Sequence, residues 1–232
     1  MKTAHILKFT ISFCIGFISI MGYSQEKSTD TTIYKSPYGI RVGMDISRPI
    51  INAFNKEFSG FEIVGDYRFT KNLYAAIELG FENKTTIEDY TNSTSKGSFA
   101  KIGVNYNVYD NWLDMNNEIY FGFRYGFSVF QQTLNSYTPN TGSAYFDTAY
   151  ILVPKTETGL KSHWTEFILG IKVETFKNLF LGASFSYKIM VSVQDQKDFK
   201  TLYVPGFNTV FESNTGFGFN YTISYTIPFV KK

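Results

Sequence analysis

From residue 38 to near the end of the chain, apolar and polar residues alternate one for one in short runs. Such period-two alternation is the mark of a strand with two unlike faces. In "YGIRVGMDIS", residues 38–47, Tyr38, Ile40, Val42, Met44 and Ile46 share one parity, opposed by Gly39, Arg41, Gly43, Asp45 and Ser47. The same pattern predicts strands at 60–69, 73–82, 100–108, 118–130, 165–174, 179–191 and 217–227. The fifth, "EIYFGFRYGFSVF", places Ile119, Phe121, Phe123, Tyr125, Phe127 and Val129 on one face and Arg124, with Glu118, Tyr120 and Ser128, on the other. None of the eight apolar faces carries a charged residue.

That purge of charge fits a lipid-facing surface, where a Lys or Arg costs about 2–4 kcal/mol at the bilayer midplane. A soluble sandwich would alternate in the same way with the faces reversed. Connection lengths favour the membrane. The intervals 70–72, 109–117 and 175–178 are short, whereas 83–99, 130–164 and 192–216 are long and 51–59 is intermediate. An outer-membrane barrel entered from the periplasm has short inner turns and long outer loops in this order. Aromatics at the short-turn ends (Tyr38, Phe69, Tyr109, Trp112, Phe176 and Phe229) suit an interfacial girdle. The predicted fold is all-β: an eight-stranded antiparallel up-and-down transmembrane barrel of the outer-membrane type, with both termini periplasmic.

The polar faces then point into a lumen just wide enough for side chains to fill. The inward set is Arg41, Arg68, Lys101, Arg124, Lys172 and Lys188 with Asp45, Glu62, Asp66, Glu78, Glu82, Glu118, Glu166 and Glu174. Isolated buried charges are prohibitively costly, so these must pair. A charged, salt-bridged plug is expected rather than a channel.

Composition adds an address. Aromatics make up 19% of the chain, with 24 Phe and 17 Tyr, a bias toward strands. The opening "MKTAHILKFTISFCIGFISIMGYSQ" has basic Lys2 and Lys8, an apolar run from Phe9 to Met21 and a small-residue exit, which reads as a signal peptide over 1–24. A polar lead-in follows at 25–37, and a single barrel domain occupies 38–232. Cleavage removes two of 22 basic residues and none of 20 acids, leaving 20 of each. No basic tract points to nucleic acid. The only cysteine, Cys14, lies within the leader after Phe13, which suits neither lipid attachment nor any disulfide. The expected surroundings are outer-membrane lipid and lipopolysaccharide, with the chain a monomer.

The stretches "SPYGIRVGMDISRPI", "VGDYRFTKNLYAAIELGFE", "LNSYTPNTG", "HWTEFILGIK", "YVPGFN" and "GFGFNYTISYTIPF" resemble a Bacteroidota family of unknown function whose members are predicted outer-membrane β-barrels. The resemblance spans nearly the whole chain after the leader. It implies an envelope location and lends no catalytic residues.

Candidate chemistry is sparse. His163, the one histidine outside the leader, is a weak catalytic candidate in the manner of outer-membrane acyltransferases and lipases, with Ser162, Ser143 and Asp147 as possible partners. The plainer reading is a histidine in the interfacial rim. Asp195, Asp198 and Glu212 match no calcium-loop spacing, so no metal and no cofactor is expected. Aromatics in the long loops mark binding candidates: Tyr137, Tyr145, Phe146 and Tyr150, then Phe199, Tyr203, Phe207 and Phe211. The leading expectation is a non-enzymatic barrel with an envelope-structural or surface-binding role toward a ligand or envelope protein. A lipid-modifying enzyme using His163 and a narrow pore are the alternatives.

Overall fold

The alternating segments fold as strands that close on themselves, which satisfies every strand edge through most of the wall. The computed structural model describes residues 37–111, 115–139, 151–152 and 154–231. The segment expected to be a signal peptide and nearly all of the expected lead-in lie outside the described residues, as do Trp112, Ser143, Tyr145, Phe146, Asp147 and Tyr150. The barrel strands are β1 (Pro37–Asp45), β2 (Phe58–Arg68), β3 (Leu73–Ile87), β4 (Thr91–Asn107), β5 (Glu118–Tyr137), β6 (Lys155–Phe176), β7 (Leu179–Val193) and β10 (Thr215–Lys231). Each pairs antiparallel with its chain neighbour, and β10 returns to β1 to close the ring. A short helix, α1 (Ser47–Phe54), follows β1, and the two-residue strands β8 (Tyr203–Val204) and β9 (Asn208–Thr209) make a hairpin in the last connection.

The faces divide as the parity demands. Along β5 the odd positions from Ile119 to Val129 are exposed and the even positions from Glu118 to Phe130 are buried. The exposed apolar residues continue around the ring, through Val42, Ile63, Ile77, Val104, Leu169, Leu181 and Tyr225. On β5 this band runs about 33 Å along the strand, or about 25 Å along a barrel axis to which strands are tilted by about 40°.

Both described chain ends sit at one rim, where Pro37 pairs with Lys231. Connections at this near rim are short, at 69–72 and 177–178, with 108–117 longer. The far rim departs from expectation. The intervals read as long loops, 83–99 and 130–164, are largely strand: β3 and β4 run on to a three-residue turn at 88–90, and β5 and β6 extend to Tyr137 and back from Lys155. These extensions are polar on both faces, with Thr85 bonded to Thr94, Thr133 to Thr156 and Asn135 to Asn92. Without an apolar face there is no period-two signal, so the sequence pattern ends where the band ends, not where the strands do. The rim is therefore lopsided: β4, β5 and β6 have 17, 20 and 22 residues against 9 in β1.

Inward glycines make room for large neighbours, Gly126 and Gly170 among them. A Cβ on Gly126 would fall 2.3 Å from the Trp164 ring, and one on Gly170 2.4 Å from the Tyr120 ring. Overpacking of this kind costs about 1–3 kcal/mol. Gly126→Val is expected to lower the thermal midpoint of the barrel, followed by loss of β-sheet circular dichroism, whereas Ser98→Ala, at an exposed position of β4, is expected to leave it unchanged.

Candidate functional site

The inward charges stand opposite one another by register. Arg41 faces Asp66 on β2, Glu78 faces Lys101 across β3 and β4, Glu118 faces Lys172 across β5 and β6, and Glu166 lies between Arg124 and Lys188. Opposed charges at directly paired positions favour that register over its neighbours. Side chains then reach across the lumen to complete the network. The Arg41 guanidinium lies 2.9 Å from both Asp66 and Glu118, making a two-pronged contact with the latter, and sits 4.7 Å over the Phe180 ring. Lys172 also reaches Asp66. Lys101 Nζ is 3.0 Å from Glu62 and from Glu78, and Arg124 Nε donates to Glu78 at 2.9 Å. Arg124 also donates to the Val104 and Phe123 carbonyls, so the run of apolar residues around it surrounds an arginine that faces inward and is fully engaged.

Arg68 is the exception. It donates to the Thr70 and Lys71 carbonyls and stacks over Tyr38 and Tyr74, holding the near-rim turn rather than joining the network. Glu174 likewise turns to the near rim, where it accepts from Asn116 and from the Asn178 amide. Among the described residues, two cavities between the lumenal charges hold ≈ 40 and ≈ 30 Å³, enough for isolated waters.

Two far-rim segments close the barrel from above, and the sequence reading found neither. From α1, Arg48 turns inward to Glu62 at 2.9 Å, to Glu82 and to Asp45. From the last connection, the β8–β9 hairpin descends onto the same carboxylate: the Tyr203 hydroxyl donates to Glu82 at 2.6 Å and the Gly206 amide at 2.9 Å. Lys188 Nζ donates to the Gly206 and Phe207 carbonyls from the opposite wall. Phe207 and Val204 join Phe99, Phe130, Leu160, Trp164 and Met190 in an apolar cluster inside the barrel. Trp164 in turn donates to Glu166 at 2.7 Å, linking the cluster to the charges below. Higher up, Gln132 donates to Gln196 and to the Lys200 carbonyl and accepts from the Leu202 amide. The signal for this cap lay in the inward parity of Phe99, Phe130 and Trp164, large apolar side chains on a face that also carries the charges.

The loop candidates are corrected accordingly. Tyr203 and Phe207, expected at an exposed recognition surface, are buried as the cap, and Phe199 is half-buried. Phe211 is exposed, and Tyr137 is near the exposed end of β5. His163 lies on the outward face, its Nδ1 2.8 Å from the Tyr125 hydroxyl, while Ser162 is buried on the inward face. Period-two geometry thus separates this serine from its neighbour by the thickness of the wall. Asp195 is occupied in accepting the Thr201 amide and Asp198 pairs with Lys155, and among the described residues no acidic or histidine cluster fit for a metal forms.

Two outcomes follow. Arg124→Leu strands the buried Glu78 beside Lys101 alone and is expected to cost about 3–5 kcal/mol in chemical unfolding, with most of the loss recovered in the Arg124→Leu/Glu78→Leu double variant. In the cap, outside the barrel strands, burial and the Glu82 carboxylate push the Tyr203 phenol well above its ordinary value. The folded state therefore favours the neutral phenol. That stabilisation is whole below pH about 10 and fades as pH rises beyond it. Alkaline titration by ultraviolet absorption is expected to show late-ionising tyrosine absorbance, and Tyr203→Phe to reduce that late amplitude by one tyrosine.

No curated protein matches the chain. Among solved structures, the crystal structure of Ail, the attachment invasion locus protein of Yersinia pestis, aligns over 84% of this chain and 99% of its own, at 9% identity and a TM-score of 0.42. A family model described as Domain of unknown function (DUF6048) matches residues 6–232. With nearly its whole length matched, the chain belongs to the DUF6048 family.

Proposed function

We propose that the protein is a non-enzymatic outer-membrane barrel, closed to solute flow, that anchors a rigid sheet on the cell surface for envelope integrity or for binding a surface partner. One observation carries the reading: a closed ring of strands whose whole outer belt is apolar and whose interior is charged and filled. Exposed apolar patches beyond a few hundred Å² mark an interface, and only a bilayer covers a complete belt. The near rim, with both described chain ends and the shorter connections, faces the periplasm in this reading.

The polar extensions of β3 to β6 then stand outside the membrane, and their inner face is covered by residues 194–202. A sheet backed in this way presents its outer face, with Lys96, Thr133 and Thr156, at fixed spacing. Preorganised surfaces lose little entropy on binding. A non-enzymatic role is supported by the engagement of His163 with Tyr125 rather than with a nucleophile.

Fractionation tests the location. The protein is expected in the outer membrane and, when unboiled, to migrate ahead of its boiled form in electrophoresis; recovery from soluble periplasm as a single unshifted band would refute the membrane reading. Phe123→Arg, at mid-band, is expected to destabilise the folded barrel in lipid by about 2–4 kcal/mol. Planar bilayers are expected to show no steady single-channel steps, and their appearance would refute a closed lumen.

A further inference from the structure

The wall has a seam. β1 ends at Asp45, which pairs with Thr222, so the edge of β10 from 215 to 220 has no strand beside it on that side. On the other flank, β1 pairs with β2 only as far as Ile63, and 58–62 pairs with β3 alone. α1 lies across the gap, pinned by Arg48. A cleft of ≈ 350 Å³ opens here, far larger than the lumenal cavities. It touches Phe217 and Phe219, which are exposed on the outward face of β10, and also Glu82, Lys188 and Phe207, which are buried inside the barrel. A cavity lined from both sides of the wall at this point passes around the free edge of β10. The cleft therefore runs through the wall, from the apolar belt to the inner cap.

Its outer mouth is apolar and continuous with the belt. Phe217 and Phe219 flank it on β10, and Ile51 on α1. Beside it α1 leaves Ile50, Ile51 and Phe54 exposed, Phe54 by 88%, as a helix resting in a bilayer interface would. Its polar lining is Asn55, Lys84 and Asn208, with Arg48 and the buried Glu82, Lys188 and Tyr203–Phe207 turn at its inner end. An apolar entrance at the lipid surface with convergent polar groups behind it suits an amphiphile, and the volume falls within the range of ligand pockets.

We propose that this seam binds an acylated membrane lipid from the surrounding leaflet, its chain passing between Ile51 and Phe219 and its ester and headgroup oxygens lying toward Lys84 and Asn208. The site rests on the membrane reading above, since only a barrel in lipid meets its ligand at that face.

The test is photolabelling of the full barrel in phosphatidylcholine vesicles containing a tracer phosphatidylcholine with a diazirine on one acyl chain, followed by peptide mapping. Adducts are expected on the belt, including 119–129, and also on 203–207, which is buried inside the barrel and meets lipid only through the seam. Ile51→Trp, which fills the mouth, is expected to cut labelling of 203–207 at least five-fold while belt adducts and fast unboiled migration persist. Belt adducts with none on 203–207, or labelling there indifferent to Ile51→Trp in a barrel that still migrates fast, would overturn the seam and leave the membrane reading intact. Absence of belt adducts would overturn both.

Discussion

Everything in this fold depends on how the charges inside the barrel pair. An eight-stranded wall encloses too little space for hydrated ions, so an Arg or Lys deep in the lumen must find a carboxylate on a neighbouring strand or across the lumen. The directly facing pairs Arg41–Asp66, Glu78–Lys101 and Glu166–Lys188 do this along the register, and Arg41–Glu118 and Arg124–Glu78 do it through the lumen. A two-residue slip at any seam would keep the apolar belt outside but set these partners apart. Parity decides which face is in; charge complementarity favours which register holds.

The same pairing extends upward to build the cap. Glu82 gathers Arg48 from α1 and Tyr203 and Gly206 from the last connection, while Lys188 holds the carbonyls of the same turn. One carboxylate and one ammonium thus fix two connections that would otherwise hang over the rim. The apolar cluster around Trp164 and Phe207, whose rings meet edge to face at 5.9 Å, fills the space above the charges. The barrel is closed by its own far-side segments, and the polar sheet of β4, β5 and β6 rises beside them.

How much of this was legible depended on whether a segment meets an apolar medium. Every strand was visible where it crosses the belt, because Ile119 to Val129 and its counterparts must alternate there. Beyond the belt, "NKTTI" and "TNSTSKG" carry no contrast between faces, so real strands at 83–87 and 91–97 read as loop. The inward charges were readable from parity, apart from Arg68 and Glu174, whose long side chains turn to the near-rim connections. Arg48 was hidden because a connection has no parity to read, and Tyr203 and Phe207 were misplaced for the same reason: aromatic residues in a long connection look alike whether they reach outward or fold back. His163 and Ser162 looked adjacent in sequence, yet a strand sets consecutive residues on opposite faces.

The most direct measurement is a scan of spin-label accessibility along β5, residues 119–130, one cysteine at a time in a background lacking Cys14, with the barrel in lipid vesicles. Odd positions are expected to be open to oxygen and closed to a water-soluble nickel chelate, most strongly near Phe123, while even positions such as Arg124 and Ser128 are closed to both. Even positions open to the chelate, with odd positions shielded from oxygen, would turn Arg124 toward water and contradict the barrel's facing outright.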